Sequence, residues 1–230
     1  MTRIAVSGAG DGPVRVATTP GLLQARTVSR GPDRARVALV AGGAMLVGGD
    51  RAAVEVEVGE GCALELEDVG GTLAYPGRSA FDVRIRLAAR ARLVWRSHPF
   101  VVADGAAVDR TVTISLGEGA VLCLRETLVL GRTGERGGAL RSRLHARTAD
   151  GDPVLLEDLD LDGALPVTGV MAPHRVLDSV LLLGARPRTS PADGAVVVLD
   201  LEAPGALART LAHRAHDTGL ESLMEDWASQ

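Results

Sequence analysis

The chain has 230 residues, 46% hydrophobic and 23% charged, with a formal net charge of −4. A chain of this length can bury roughly 70% of its unfolded surface, so one core needs no staples, and the charged fraction argues against wholesale disorder. The negative balance argues against nucleic-acid binding by bulk electrostatics, and no run of 18 or more apolar residues is present to span a membrane as a helix.

The first residues, MTRIAVSGAGDGPVRV, have neither the basic start nor the long apolar run of a secretory leader. The expectation is a soluble, cytoplasmic protein. Further along, the apolar period is two. Val54, Val56 and Val58 alternate with Glu55 and Glu57; Phe81, Val83, Ile85 and Leu87 with Asp82, Arg84 and Arg86; Val112, Ile114 and Leu116 with Thr111, Thr113 and Ser115. Each run predicts a strand with one buried face. A short break and a second strand follow each: VEVEV-GEG-CALEL, VRIRL-AAR-ARLVW, VTISL-GEG-AVLCL. The breaks begin at Gly59, Ala88 and Gly117, 29 residues apart each time. A step back reaches Arg30, beside the Gly31-Pro32-Asp33 turn. A step forward reaches a looser unit, LRSRLHA, then Asp150-Gly151-Asp152-Pro153, then VLLEDL. A lone strand pair cannot hide its apolar face, but stacked units share one core. The predicted fold is mainly β, an elongated, β-helical stacked sheet body over residues 1–203. A twisted hairpin array and a β-sandwich remain open beside it.

Val121–Leu130 (VLCLRETLVL) predicts a strand buried on both faces. Its central Arg125 and Glu126 are costly there unless paired or hydrated. They form either an ion pair at a strand crossing or a polar group facing an internal passage. Ala195–Leu201 is one more strand. From Pro204 the pattern predicts one or two helices over 204–230: Leu207 and Leu211 share a face, and Thr218 and Glu221 have capping-box spacing. Leu220, Leu223, Met224 and Trp227 form an apolar stripe, which either covers the sheet or docks a partner.

Cys62 and Cys123 are too few for a disulfide or zinc framework, and buried free thiols are expected. All 25 basic residues are Arg, which excludes lysine Schiff-base and P-loop chemistry; the lack of Lys and Asn reflects GC-rich codon usage. Tyr75, Phe81, Trp95, Phe100 and Trp227 are the only aromatics besides histidine, too few for a base-stacking platform. His213 and His216 are spaced to face one ligand from a helix, although a surface pair fits as well; His98, His145 and His174 are isolated. No nucleophile-elbow, zincin or P-loop motif occurs. Carboxylates are plentiful: Asp50, Asp104, Glu126, Glu135, Glu157, Asp160 and Asp162. Two of them, such as Asp50 and Asp104, could do acid–base work, which keeps a β-solenoid carbohydrate-active enzyme in view. The scarcity of aromatics disfavours it. A β-rich interaction module without a metal role is the third reading.

In order, the motifs resemble the UreD (also called UreH) urease accessory family. GGAMLVGGD, with Gly42, Gly43, Gly48, Gly49 and Asp50, is similar to that family's glycine-rich segment before an alternating strand. Gly61–Gly77 resembles its next block, with Glu67-Asp68-Val69 in place of the usual Thr-Thr-Pro. In Ala91–Ala106, Trp95, Asp104, Gly105 and Ala106 match, while Arg96-Ser97-His98-Pro99 depart. Val121–Leu144 is most similar, through Glu126, Gly131, Arg132, Gly134, Glu135, Gly138, Leu140 and Arg141. GVMAPHRVLDSVLLLG fits a later apolar strand. The resemblance implies a non-enzymatic β-helical protein that works with the accessory proteins UreF and UreG on apo-urease. It also implies that nickel passes through in transit, with no stably bound cofactor and no tight metal site. On that reading Asp50, Glu126 and Glu135, then Asp104 and Glu157, are candidates to line a passage. Arg132 and Arg141 are candidates for structural ion pairs or partner contacts, and the Leu220–Trp227 stripe for docking UreF. Neither nucleic acid nor membrane is an expected partner.

Overall fold

The period-two runs form strands, and the glycine-rich breaks between them pass the chain from one sheet to another across a shared core. The computed structural model describes residues 1–43, 45–165, 167–189 and 195–230. Its strands are β1 (Thr2–Ala9), β2 (Gly12–Thr19), β3 (Leu23–Arg30), β4 (Arg34–Ala41), β5 (Arg51–Val58), β6 (Ala63–Asp68), β7 (Thr72–Ala74), β8 (Gly77–Leu87) and β9 (Arg92–Arg96). They continue as β10 (Phe100–Val102), β11 (Ala106–Leu116), β12 (Val121–Leu130), β13 (Ala139–Thr148), β14 (Pro153–Asp162), β15 (Val176–Leu183), β16 (Val197–Asp200) and β17 (Gly205–Ala212), with one helix, α1 (Glu221–Ala228). The first sheet runs β14-β13-β11-β8-β5-β1-β2 and the second β16-β17-β15-β12-β9-β6-β4-β3, with β10 joining β7 to β12.

The predicted repeat is the stacking register. In the first sheet Arg51 lies beside Ala80 and Gly77 beside Ala106; in the second Arg34 lies beside Ala63, Ala63 beside Arg92 and Arg92 beside Val121. Each of these five parallel pairs is offset by 29 residues, so equivalent side chains sit one above another. Val56, Ile85 and Ile114 form one such inward stack, none more than 1% exposed. On the outer face the rungs alternate in charge. Arg86 donates to Glu55 at 2.5 Å and to Glu57 at 3.0 Å, and Arg3 to Glu57 at 2.7 Å. Cross-strand opposite charges favour this register, and like charges would oppose it. The breaks share one bend: Gly61 and Gly119 have φ of +64°, and the equivalent Arg90 has +55°.

Both ends of the stack depart from the repeat. LRSRLHA and VLLEDL are β13 and the core of β14, an antiparallel hairpin within one sheet and not a further crossover unit. The backbone of Thr148 donates to the Asp152 carbonyl at 2.9 Å, and Gly151 at φ +98° turns the chain back. At the other end β3 and β4 form a second hairpin around Gly31.

The segment after Pro204 is a strand, β17, and not a helix. Tertiary pairing overrides the helix propensity of GALARTLA. It pairs with β15 from Leu183 beside Gly205 to Val176 beside Ala212, and both its faces are used. Leu207 enters the main core, while Ala206 and Ala208 face the helix. The capping box is also absent. Thr218 Oγ1 donates instead to Asp178 at 2.6 Å, and Arg125 donates to Glu221 at 2.9 Å.

β12 is buried on both sides, as its sequence predicts. Leu122, Leu124, Leu128 and Leu130 face the main core, while Cys123 faces α1. Strand alternation sends Arg125 and Glu126 to opposite faces, so they do not pair with each other. Arg125 pairs with the fully buried Asp178 at 2.7 Å, and Asp178 also accepts from Thr127 at 2.9 Å. Glu126 points between the sheets.

Candidate functional site

Glu126 meets Arg110 there. In AAVDRTVTISL, Arg110 takes an inward position in phase with Val108, Val112 and Ile114, and only 6% of the residue is exposed. Its Nη2 donates to Glu126 across the gap between the sheets, and its Nη1 to Ser142 Oγ on neighbouring β13 at 3.2 Å. The guanidinium carbon lies 6.0 Å from the Phe100 ring centroid. Its Nε–H is buried and has no partner among the described residues.

These two residues line a cavity that Asp68, Trp95, Ser97, His98 and Phe100 also border. Its volume is about 50 Å³, room for about three or four waters and too little for a sugar or nucleotide. Asp68, at the end of β6, accepts from Trp95 Nε1 at 3.1 Å and from the His98 backbone at 3.3 Å. Burial pushes its carboxyl up to about 6; the Trp95 and His98 hydrogen bonds oppose this, and the charge of Glu126 adds to it. The arrangement offers two carboxylates and one guanidinium in a small, largely apolar space between the sheets.

The other candidate acids lie elsewhere. Asp50 closes a turn by accepting from the Val47 backbone at 3.0 Å. Glu135 accepts from the Arg132 backbone at 2.9 Å, from Arg132 Nε at 2.7 Å and from the Asp104 backbone at 3.3 Å. The Arg132 side chain, then its backbone N–H, holds the Glu135 carboxyl at about 2. Asp104 in turn accepts from the Gly137 backbone at 2.6 Å. Glu157 forms a fork with Arg209 at 2.5 and 2.7 Å, tying β14 to β17 across the two sheets. Glu126 is thus the one candidate acid among the cavity's described lining residues; Asp104 and Glu135 knit a separate loop.

Arg132 and Arg141 make ion pairs, the latter with Asp158 at 3.3 Å. Gly49, Gly105, Gly131 and Gly134 lie at φ of +98°, +74°, +78° and +84°. Gly42, Gly48 and Gly138 abut the backbones of Leu22, Pro76 and Ala106, and Gly43 has open space around it. Leu220, Leu223, Met224 and Trp227 are buried on the chain's own second sheet, so their stripe is covered within this chain. His213 lies beyond β17, its ring centroid 4.8 Å from that of His174 and tilted by 35°, while His216 neighbours Asp217 at 3.4 Å. Among the described residues no group of three or more His, Cys, Asp and Glu is placed to hold a metal.

Asp68 and Arg110 escaped the sequence reading. Arg110 carried a usable signal, a charge on the apolar phase of a strand. Asp68 carried none beyond its position at a strand end, because only tertiary packing encloses it.

The model of the UreD urease accessory protein family matches residues 14–223, most of the chain. The chain belongs to this family. A UreD 1 urease accessory protein of Streptomyces griseus is 44% identical over 205 residues, covering 86% of this chain and 79% of that protein. A UreD 2 protein of Saccharopolyspora erythraea is 33% identical, covering 84% and 73%, and the UreD of Streptomyces avermitilis is 32% identical, covering 96% of each. The UreD match extends from β2 into α1 and includes every residue named around the cavity. No described helix is long and apolar enough to cross a membrane.

Proposed function

We propose that this UreD-family chain is a non-enzymatic, cytoplasmic urease maturation factor. It acts as a scaffold with UreF and UreG and lets nickel pass to apo-urease. Family membership supports the urease role, and the observation that carries the passage is that two carboxylates, Glu126 and Asp68, border one small cavity between otherwise apolar sheets. Nickel held tightly prefers imidazole or thiolate; carboxylates and water bind it more weakly. Oxygen donors in a water-sized cavity therefore suit an ion in transit. The cavity's size argues against a carbohydrate substrate, and Asp50 and Asp104 are engaged in separate turns. Nickel is cargo on this reading, and no residue is assigned a catalytic role.

The test is co-expression of the full chain with UreF, UreG and the structural urease proteins of the same organism. Pull-down and urease activity are then measured with and without the chain. Co-purification with chain-dependent activity is expected. A soluble chain that captures none of them and leaves urease activity unchanged overturns the proposal. Glu126→Gln with the complex intact is expected to reduce activation, and wild-type activation by that variant would remove the passage.

A further inference from the structure

The Glu126 carboxylate is already matched by a cation that belongs to the protein. Arg110 reaches it from the opposite sheet, with side-chain exposures of 7% for Arg110 and 18% for Glu126. The guanidinium does not depend on Glu126 alone. Ser142 Oγ, on the neighbouring strand of its own sheet, accepts from Nη1 at 3.2 Å, and Phe100 lies under it at 6.0 Å. Only Nη2 crosses to Glu126, and the buried Nε–H finds no acceptor among the described residues. Arginine stays protonated at any physiological pH, so this internal cation cannot be neutralised away. It can only be displaced.

We propose that Arg110 is a tethered competitor for the cavity's cation: its guanidinium holds Glu126 in the resting chain, and a divalent metal ion enters only by taking Glu126 from it while drawing on Asp68 as a second oxygen donor. This rests on the metal-passage reading above and names how that passage selects its cargo. A monovalent ion offers Glu126 the same unit charge as the guanidinium, without its directed hydrogen bond, so exchange gains nothing. A divalent ion carries twice the charge and engages both carboxylates, so its attraction outweighs the pair it breaks. The cavity of about 50 Å³ holds only a few waters. An ion entering it must shed part of its hydration shell, and the two carboxylates replace the lost oxygens. Once displaced, Arg110 keeps Ser142 and the Phe100 face, and its free N–H groups turn to cavity water. It stays beside Glu126 and drives the ion out when a stronger acceptor is present. Competition thus keeps binding weak and release fast.

The test measures binding of NiCl2 alone to the purified full chain near neutral pH, by calorimetry. Wild type is compared with Arg110→Gln, Arg110→Lys, Glu126→Gln and Asp68→Asn, each checked for folding by circular dichroism. Arg110→Gln is expected to tighten the Glu126-dependent site by about tenfold or more, the scale of one close charge pair. Arg110→Lys keeps Glu126 compensated, so it spares the fold if the Gln variant does not fold. It lacks the fork that holds Ser142 and Glu126 together, and it is expected to tighten nickel binding by less. Folded Arg110 variants that bind nickel no tighter than wild type, while Glu126→Gln still weakens binding, would overturn the competitor and leave the passage standing. If Glu126→Gln and Asp68→Asn both bind nickel like wild type, the passage itself falls and the competitor with it.

Discussion

Trp227→Ala separates a packing role for the C-terminal stripe from an open docking face. Trp227 is 0% exposed, and its indole N–H donates to the Thr189 carbonyl at 3.1 Å. It packs with Leu220, Leu223 and Met224 on Val94, Cys123, Val180 and Leu182. Truncating a buried Trp to Ala costs about 3–5 kcal/mol. What remains to hold α1 is the smaller apolar contact of Leu220, Leu223 and Met224 together with a few polar ties. Arg96 pairs with Glu225 at 3.0 Å, Arg125 with Glu221 at 2.9 Å, and Arg92 donates to the Gln230 carbonyl at 2.7 Å. Exposed ion pairs each contribute about 0.2–1 kcal/mol, and a helix of eight residues does not persist alone. The expected result is undocking of α1 and a fall in Tm of roughly 10 °C, at about 2–4 °C per kcal/mol for a chain of this size. Undocking also uncovers Cys123, which is 0% exposed in the native chain, so its labelling by a thiol reagent should rise sharply. A variant with Tm within about 2 °C of wild type and an unlabelled Cys123 would refute the assignment of the stripe to internal packing.

Asp68 should leave a signature in the pH dependence of stability. Its folded-state carboxyl titrates at about 6 against an ordinary 3.8, so the folded chain binds more protons in that window and stability falls as pH rises through it. The effect is on the order of 3 kcal/mol, and melting curves of Asp68→Asn should lose it; an unchanged pH profile would count against the burial of that carboxylate. Glu135 acts on the other side: its contribution is present above 4.5 and is lost as pH falls toward about 2, which acid titration of Glu135→Gln should show. Arg90→Gly places a glycine where the equivalent positions already have one, at φ +55°, and should raise stability by about 1 kcal/mol in urea unfolding despite the lost ion pair with Glu60. Gly184→Ala should abolish soluble expression, because at φ +84° its Cβ would overlap the Ala120 carbonyl oxygen, a clash worth more than about 4 kcal/mol.

Much of the fold was legible from local pattern. Val56, Ile85 and Ile114 sit at equivalent places in three units, and the glycine or small-residue breaks between strands come at a constant interval. A parallel stack lets each unit satisfy its backbone on the next only when that interval is the register, as the pairing of Arg51 with Ala80 shows. The site was less legible. Of the candidate acids, Glu126 showed itself as a charge in an apolar strand, while Asp50, Asp104, Glu135 and Glu157 differ from it only in what lies opposite them in space.

What the sequence determined by itself is therefore what short-range chemistry controls: period-two strands, the breaks between them, the stacking interval and the alternating charges on adjacent rungs. Tertiary structure alone decided that GALARTLA is a strand, because β15 supplies its hydrogen bonds and both its faces are buried. It decided that Arg125 turns to Asp178, 53 residues away, and that Glu126 turns to Arg110. It also decided that Asp68 meets the Trp95 indole. A buried charge is stable only beside its partner. Those partners come from other rungs and from the opposite sheet, brought together only when the two sheets close over one core.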